Sequence, residues 1–177
     1  MQGENQETYQ TGLNALIKLT NGKIHLNING SKEAASIFRK SEGVTLNKFS
    51  GPHPAGNLGV QIHHIDPINK GEVVWYVNPQ DVLIIGKLFS EGRYDASRII
   101  ALTGSQVSSP KYYKTTIGSS VKNILNDGGL KAIENRVISG NVLSGSQILE
   151  DGFLGYYDTQ ITVIPEGRES EFMGWLA

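Results

Sequence analysis

Residues 73–102 read VVWYVNPQDVLIIGKLFSEGRYDASRIIAL, and this stretch decides the fold class. Residues 73–77 form a short apolar run rich in β-branched and aromatic side chains, which predicts a buried strand. Residues 98–102 form a second run that favours a strand. A helical pattern lies between the two runs, so the stretch predicts a βαβ unit with parallel strands and a right-handed crossover.

The helix between the two runs has clear boundary signals. Asn78 stands at the N-cap, and Pro79 occupies the first helical position, where its missing N–H breaks no hydrogen bond. Asp81 places a carboxylate in the first turn, and Gly92 is the expected stop. The apolar side chains at helical spacing are Val82, Ile85, Leu88 and Phe89.

The residues before this stretch predict further α/β elements. Ser31 is expected to cap the second of two helices. The predicted elements are helices over residues 7–20 and 32–40 and strands over residues 23–28 and 44–49. Residues 1–103 are therefore predicted to form a partial Rossmann-like domain, an α/β layer built on a parallel sheet.

The composition changes after Thr103. Gly, Ser and Pro are frequent over residues 104–110, which indicates a domain boundary, and the pattern then changes to short strands with one short helix. The predicted elements are strands over residues 111–117, 135–139 and 156–164 and a helix over residues 121–125. Residues 104–177 are therefore predicted to form a small β-grasp-like α+β module.

Bulk composition argues against several functional classes. Hydrophobic residues make up 38% and charged residues 19%, which is typical of a globular chain. A formal net charge of −1 without a dense basic patch argues against nucleic-acid binding, and the lack of cysteine excludes thiolate metal sites. The sequence shows neither a signal peptide nor an apolar run near the roughly 20 residues of a membrane span. Any membrane association is therefore expected to run through a partner.

The candidate functional segment, residues 49–67, reads FSGPHPAGNLGVQIHHIDP. It contains three glycines, three prolines and three of the four histidines of the chain. This density of Gly and Pro is incompatible with a plain helix or strand. It predicts a shaped loop that passes into a short helix or strand from Asn57 onward. Such loops commonly carry function when a rigid scaffold holds them, although a purely structural connector is the alternative.

Several blocks of sequence, in the same order, resemble the A subunit of the Na+-translocating NADH:quinone reductase, a bacterial respiratory pump. The blocks are Phe-Ser-Gly-x-His-Pro-Ala-Gly at residues 49–56, Gly-x-x-Ile-His-x-x-Asp-Pro at residues 59–67, and shorter blocks at residues 74–76, 80–82, 85–89, 98–102, 136–140, 166–169 and 172–175. The order of Val107, Pro110, Tyr112 and Gly118 resembles the soluble ligand-binding β-grasp (SLBB) domain. Related proteins are the NADH- and flavin-binding subunit of respiratory complex I and the C subunit of the Rnf complex.

The resemblance implies a translocase component without a redox cofactor of its own. NADH would be oxidised elsewhere in the complex, and ubiquinone would be the substrate. The implied partners are the other subunits, chiefly a membrane subunit, which would hold this chain at the cytoplasmic face of the bacterial inner membrane. The resemblance also implies an internal piece of a longer chain, with Met1 a cloned start. The residues assigned to quinone proximity are His53, Gly56, Gly59, His63 and His64.

Three interpretations of the histidines remain open. A zinc ion would need three or four converging ligands, whereas His63 and His64 are neighbours expected to point apart, and Asp66 is the one close carboxylate. A second interpretation has His53 and His63 hydrogen-bonded to the loop's own backbone. In the third, one imidazole donates a hydrogen bond to a quinone carbonyl.

Two other functions remain as alternatives. One is a pure assembly module without ligand binding, and the other is a flavin-binding redox subunit. The sequence lacks a Gly-x-Gly-x-x-Gly fingerprint and a phosphate loop, which argues against dinucleotide binding. Glu169 and Glu171 are expected to be solvated. The aromatic residues predicted to be core or interface anchors are Trp75, Trp175, Tyr112, Tyr113, Tyr156 and Tyr157.

Overall fold

The structure, a computed structural model, describes residues 2–131 and 134–168 and divides into two compact units, Met1–Asp95 and Ala96–Ala177. The sequence placed the division at Thr103 instead. The difference lies in strand β3, Ser97–Thr103, whose strand partners all belong to the second unit. Among the predicted features, Glu169, Glu171, Trp175 and the last block of the resemblance lie outside the described residues.

The first unit is organised around two packed helices. Helix α1 spans Gln2–Leu19 and begins five residues before the predicted helix, whereas helix α4 spans Pro79–Glu91, as predicted. Tyr9 and Leu13 of α1 and Val82 of α4 form the buried core between them. Gly92 adopts the left-handed conformation, with φ of 67°, and its N–H bonds the carbonyl of Leu88. The predicted start and stop of α4 are therefore confirmed.

A parallel pair of strands supplies the sheet of the first unit. Strand β1 spans His25–Asn29 and strand β2 spans Thr45–Phe49, in the register that sets Asn27 opposite Asn47. Both strands were predicted. The helix between them, α2, covers only Ser36–Arg39, and Ala35 precedes it. The predicted cap at Ser31 is therefore wrong; its N–H instead bonds the Asn29 side chain in a turn, at 2.8 Å.

The predicted buried strand over residues 73–77 is wrong. Residues 73–77, hereafter the apolar segment, have no regular secondary structure. All five side chains are exposed, and Trp75 is 88% exposed. Apolar β-formers make a strand only where a neighbouring strand accepts and donates backbone hydrogen bonds. In the described part of the chain, β1 and β2 pair only with each other. The predicted βαβ unit therefore does not form.

The described residues of the second unit form a five-stranded mixed sheet with one helix. The strand order is β4-β3-β7-β5-β6, and β3 is antiparallel to β4 and parallel to β7. The remaining elements are β4 Lys111–Thr116, α5 Lys122–Gly128, β5 Asn135–Ser139, β6 Ser146–Ile148 and β7 Gln160–Pro165. Strand β6 was not predicted, and β7 begins four residues later than predicted.

The core of the second unit lies where α5 meets the sheet. Its fully buried members include Ile100, Val121, Ile161 and Val163, with Leu125 beside them. The predicted fold class, an α/β unit followed by a small α+β module, is confirmed. Of the predicted anchors, Trp75, Tyr112, Tyr156 and Tyr157 are exposed, so they are not core residues.

Candidate functional site

The candidate loop connects β2 to helix α3, which spans Leu58–Ile65. Two backbone hydrogen bonds fold the loop into consecutive turns, from the Ala55 N–H to the Pro52 carbonyl at 3.0 Å and from the Asn57 N–H to the Pro54 carbonyl at 2.8 Å. Gly51 has a φ of 138°, a region that L side chains rarely adopt. The predicted passage from a shaped loop into a short helix from Asn57 onward is confirmed.

A line of polar side chains, the polar ladder, ties this loop to the sheet. The Asn47 side-chain amide donates to the Asn27 side-chain oxygen at 2.9 Å and to Nδ1 of His25 at 3.1 Å. The Asn27 amide donates to Oε1 of Gln61 at 3.0 Å. The Gln61 amide in turn donates to the carbonyl of Ala55 at 3.2 Å. The ladder therefore runs from both strands through α3 into the loop.

The polar ladder corrects the prediction that histidines hold the loop. Among the described residues, neither His53 nor His63 donates or accepts a hydrogen bond through its ring; Gln61 makes the side-chain contact with the loop backbone. Gln61 was not among the predicted site residues. A usable signal was present, because Asn27 and Asn47 are amides within alternating strands, and such side chains need partners when they are half-buried.

The five residues assigned to quinone proximity are all exposed. Gly59 and His63 lie one turn apart on the exposed side of α3, and a Cβ added at Gly56 or Gly59 would have no atom of the described residues within 4 Å. The rings of His63 and His64 do not point apart, since their centroids are 5.8 Å apart in an edge-to-face contact. Among the described residues, no ring contact or hydrogen bond joins His53 to this pair.

The described histidines do not form a metal site. Across residues 2–131 and 134–168, no three His, Cys, Asp or Glu side chains are placed to hold one ion together. Two imidazoles in edge contact and a separate His53 do not supply the three or four converging ligands that zinc needs. What the exposed rings offer is hydrogen bonding to a molecule that approaches from outside.

The clearest electrostatic cluster lies in the second unit. The Asp127 carboxylate accepts a hydrogen bond from the Lys111 ammonium at 2.6 Å and another from the Tyr113 hydroxyl at 2.7 Å. The hydrogen bond from Lys111 is the main cause that lowers the pKa of Asp127, and the hydrogen bond from Tyr113 is the second. The same carboxylate raises the pKa of Lys111. The cluster joins edge strand β4 to helix α5, which is a structural role.

A second polar cluster shapes the turn that leads into β7. Buried Ser139 donates to the Asp158 carboxylate at 2.5 Å and accepts from the Gly155 N–H at 2.8 Å. The Arg98 guanidinium, also buried, donates to the carbonyl of Tyr156 at 2.7 Å. These bonds hold residues 155–158 in a turn, which explains why β7 starts at Gln160 and not at Tyr156.

Known family models match both units. Residues 1–94 match the model described as the NqrA second alpha/beta domain, and residues 99–150 match the model described as the NQRA C-terminal domain, of the SLBB type. The fold and these matches together define the class of protein: an α/β unit followed by an SLBB-type module. Within that class, the chain belongs to the NqrA family, which confirms the resemblance seen in the sequence.

Curated relatives extend the similarity along nearly the whole chain. The chain is 43% identical over 171 residues to the A subunit of the Na(+)-translocating NADH-quinone reductase of Yersinia pseudotuberculosis serotype O:1b (strain IP 31758). It is 42% identical over 174 residues to the protein of that name from Histophilus somni (strain 2336), and 45% over 170 residues to that from Klebsiella pneumoniae. These matches cover 96%, 98% and 95% of the chain, but only 38%, 38% and 37% of the relatives' own length. Within the part of the chain that the structure describes, no helix has the length and apolar character needed to span a bilayer.

Proposed function

We propose that the chain acts as part of the A subunit of a Na+-translocating NADH:quinone reductase. It docks on the other subunits, chiefly a membrane subunit, on the cytoplasmic side of the inner membrane, and it contributes to binding at the quinone end. It carries no redox cofactor of its own, so NADH is oxidised elsewhere in the complex. The observation that carries the proposal is the similarity of about 43% identity to proteins of that name across both units.

The apolar segment supports docking on another subunit. Five consecutive exposed side chains of this character are unusual on a free surface and typical of an interaction site. Their backbone makes no hydrogen bond to another described residue, so a partner is free to bond it as well as to cover its side chains. Trp75 and Tyr76 are the side chains suited to anchor such an interface.

The loop and α3 support the quinone assignment. His53, His63 and His64 present imidazole groups to solvent, and an imidazole N–H is a donor for a quinone carbonyl. Gly56 and Gly59 leave open space in which a flat ring can approach the backbone. The polar ladder holds these groups in place through Gln61, because it anchors α3 and the loop to both strands.

A chimeric complex tests the proposal. The matching segment of the Klebsiella pneumoniae relative is replaced by this chain, and the purified complex is assayed for NADH-dependent quinone reduction and for subunit content. We expect an assembled and active complex. A full set of subunits without quinone reduction, or a complex that loses the chimeric protein, would contradict the proposal.

The quinone assignment needs a separate measurement. In the chimera, His63→Asn together with His64→Asn should raise the KM for quinone without altering NADH oxidation by an artificial acceptor. Lys114→Asn on β4 is the matched control and should change neither quantity. A photoreactive quinone analogue is expected to label residues 51–66; labelling confined to other regions would remove the assignment.

A pure assembly module is the second candidate, and the apolar segment favours it as well. It predicts that the His63→Asn and His64→Asn variants leave the quinone KM unchanged, whereas Trp75→Ser weakens retention of the chimeric protein in the complex. The flavin-binding alternative is tested by the visible absorption of the purified chain, since a bound flavin would colour the preparation.

A further inference from the structure

Two adjoining cavities in the first unit belong to neither the loop nor the apolar segment. The first, of about 250 Å³, lies against β1 and is lined by apolar side chains that include Leu26, Phe38 and Pro79. The second, of about 340 Å³, is lined by Ile28 and Leu46 together with Lys48. Both volumes are near the lower limit for small-molecule sites.

The two cavities meet along one segment of chain. Residues 32–34, between β1 and α2, line both of them, as do Ile28 and Asn29. A single molecule that passes Ala34 can therefore occupy both cavities. The combined site has an apolar floor, and its charged groups come from Lys32, Glu33, Arg39 and Lys48.

The charge of the site is positive. Arg39 pairs with Glu33 at 3.1 Å, so these two charges offset each other. Lys32 and Lys48 form no ion pair with a described carboxylate, although both line the second cavity. Two ammonium groups beside an apolar floor attract a ligand with a negative head and an apolar body.

The edge of β1 that faces away from β2 pairs with no described strand, and it adds polar groups beside the first cavity. The Thr45 N–H donates to the Ile24 carbonyl at 2.8 Å, and the Gly30 N–H donates to the Phe49 carbonyl at 2.7 Å. The backbone N–H and C=O groups of the even-numbered residues of β1 therefore point toward β2. Because residues alternate along a parallel ladder, the backbone groups of Asn27 and Asn29 face the opposite edge. Both residues line the first cavity, so the backbone groups that β2 does not bond lie beside it.

We propose that these cavities form a binding site for an anionic amphiphile. An acyl chain occupies the first cavity, and a carboxylate or phosphate head lies against Lys32 and Lys48 in the second. The site is separate from the loop assigned to quinone, and a neutral quinone does not satisfy its two ammonium groups. The acidic head can belong to a free fatty acid or to an anionic phospholipid.

Isothermal titration of the full chain with decanoate, and with decanol as its uncharged counterpart, tests the charge requirement. We expect saturable decanoate binding and decanol binding at least about tenfold weaker, the effect of losing one charge-assisted hydrogen bond. Lys32→Gln with Lys48→Gln should weaken decanoate binding by a similar factor. Lys114→Gln with Lys122→Gln in the second unit, a matched loss of two charges, should leave it unchanged.

A second variant tests the location. Ala34→Trp fills the junction of the cavities and should abolish decanoate binding, while circular dichroism reports whether the variant folds. Sedimentation with phosphatidylcholine vesicles, with and without phosphatidylglycerol, separates the two sources of the head group. If only vesicles that contain phosphatidylglycerol sediment the chain, and if this requires Lys32 and Lys48, the ligand is a phospholipid. If the chain binds decanoate but does not sediment with vesicles, the ligand is a free amphiphile.

Four outcomes would overturn the site. They are no saturable binding in either assay, equal binding of decanoate and decanol, decanoate binding that survives in folded Ala34→Trp, and concentration-dependent self-association that this substitution removes. The last would show that a second copy of the chain fills the cavities. None of these outcomes bears on quinone reduction by the chimeric complex, so the two proposals can fail independently.

Discussion

Gly86 of α4 lies directly against the backbone carbonyl of Thr8 in α1, so closely that a methyl group at residue 86 would overlap the carbonyl oxygen. Gly12 of α1 lies in the same way against the carbonyl of Val82 in α4. Each helix therefore contributes one glycine that contacts the backbone of the other helix where they cross. This close approach positions Tyr9, Leu13 and Val82 in the core of the first unit.

The first prediction concerns this crossing. Gly86→Ala should lower the free energy of unfolding by about 1–3 kcal/mol, because backbone atoms of the neighbouring helix must move apart. The loss should appear even though Ala favours a helix by about 1 kcal/mol over Gly. Denaturant unfolding measures the difference. Gly59→Ala in α3, where a side chain meets open space, is the control and should be neutral or slightly stabilising; equal destabilisation by both substitutions would disprove the packing argument.

The second prediction concerns the polar ladder. Gln61→Ala removes the bonds to Asn27 and to the Ala55 carbonyl, and should cost about 1–3 kcal/mol because the Asn27 amide N–H loses its acceptor. Hydrogen exchange at the amides of Ala55 and Asn57 should accelerate, because the turns lose their anchor. His53→Ala is the comparison and should leave both quantities unchanged. A larger effect from His53 than from Gln61 would restore the interpretation in which histidines hold the loop.

Local signals predicted the elements whose residues determine their own conformation. Helix α4 follows from Asn78, Pro79 and Gly92, and the loop follows from its glycines and prolines, because these residues restrict the backbone wherever they stand. The strand prediction for the apolar segment was wrong for the opposite reason. A strand is completed by a neighbour distant in sequence, and the residues of the segment do not encode whether that neighbour is present.

Only part of the candidate site was predicted, because some of its contacts also depend on residues distant in sequence. The segment from Gly51 to His64 was found because its composition is unusual, but the role of Gln61 depends on Asn27, which is 34 residues away. The division between units shows the same limit. Strand β3 was recognised as a strand, yet its pairing with β4 and β7 is set by residues later in the chain.

The third prediction concerns pH. Hydrogen bonds from Lys111 and then Tyr113 lower the pKa of Asp127 in the folded state below its ordinary value of 3.8. A carboxyl group of this kind stabilises the fold above its unfolded pKa, and the contribution is lost as the pH falls through the folded pKa. The stability difference between wild type and Asp127→Asn should therefore be present at neutral pH and shrink below about pH 4. Thermal unfolding across this range measures it, and a stability difference that stays the same from neutral pH to below about pH 4 would contradict the assignment.

The fourth prediction separates the fold from its surface at Trp75. Because this side chain is 88% exposed, Trp75→Ser should change the free energy of unfolding by no more than about 0.5 kcal/mol. Leu13→Ala, at a buried core position, should cost about 2–5 kcal/mol and is the positive control. In the chimeric complex, the same Trp75→Ser substitution should weaken retention of the chimeric protein, because we propose that a partner docks on the apolar segment. If Trp75→Ser instead destabilised the isolated chain as much as Leu13→Ala, residues 73–77 would be part of a core, and the docking assignment would be wrong.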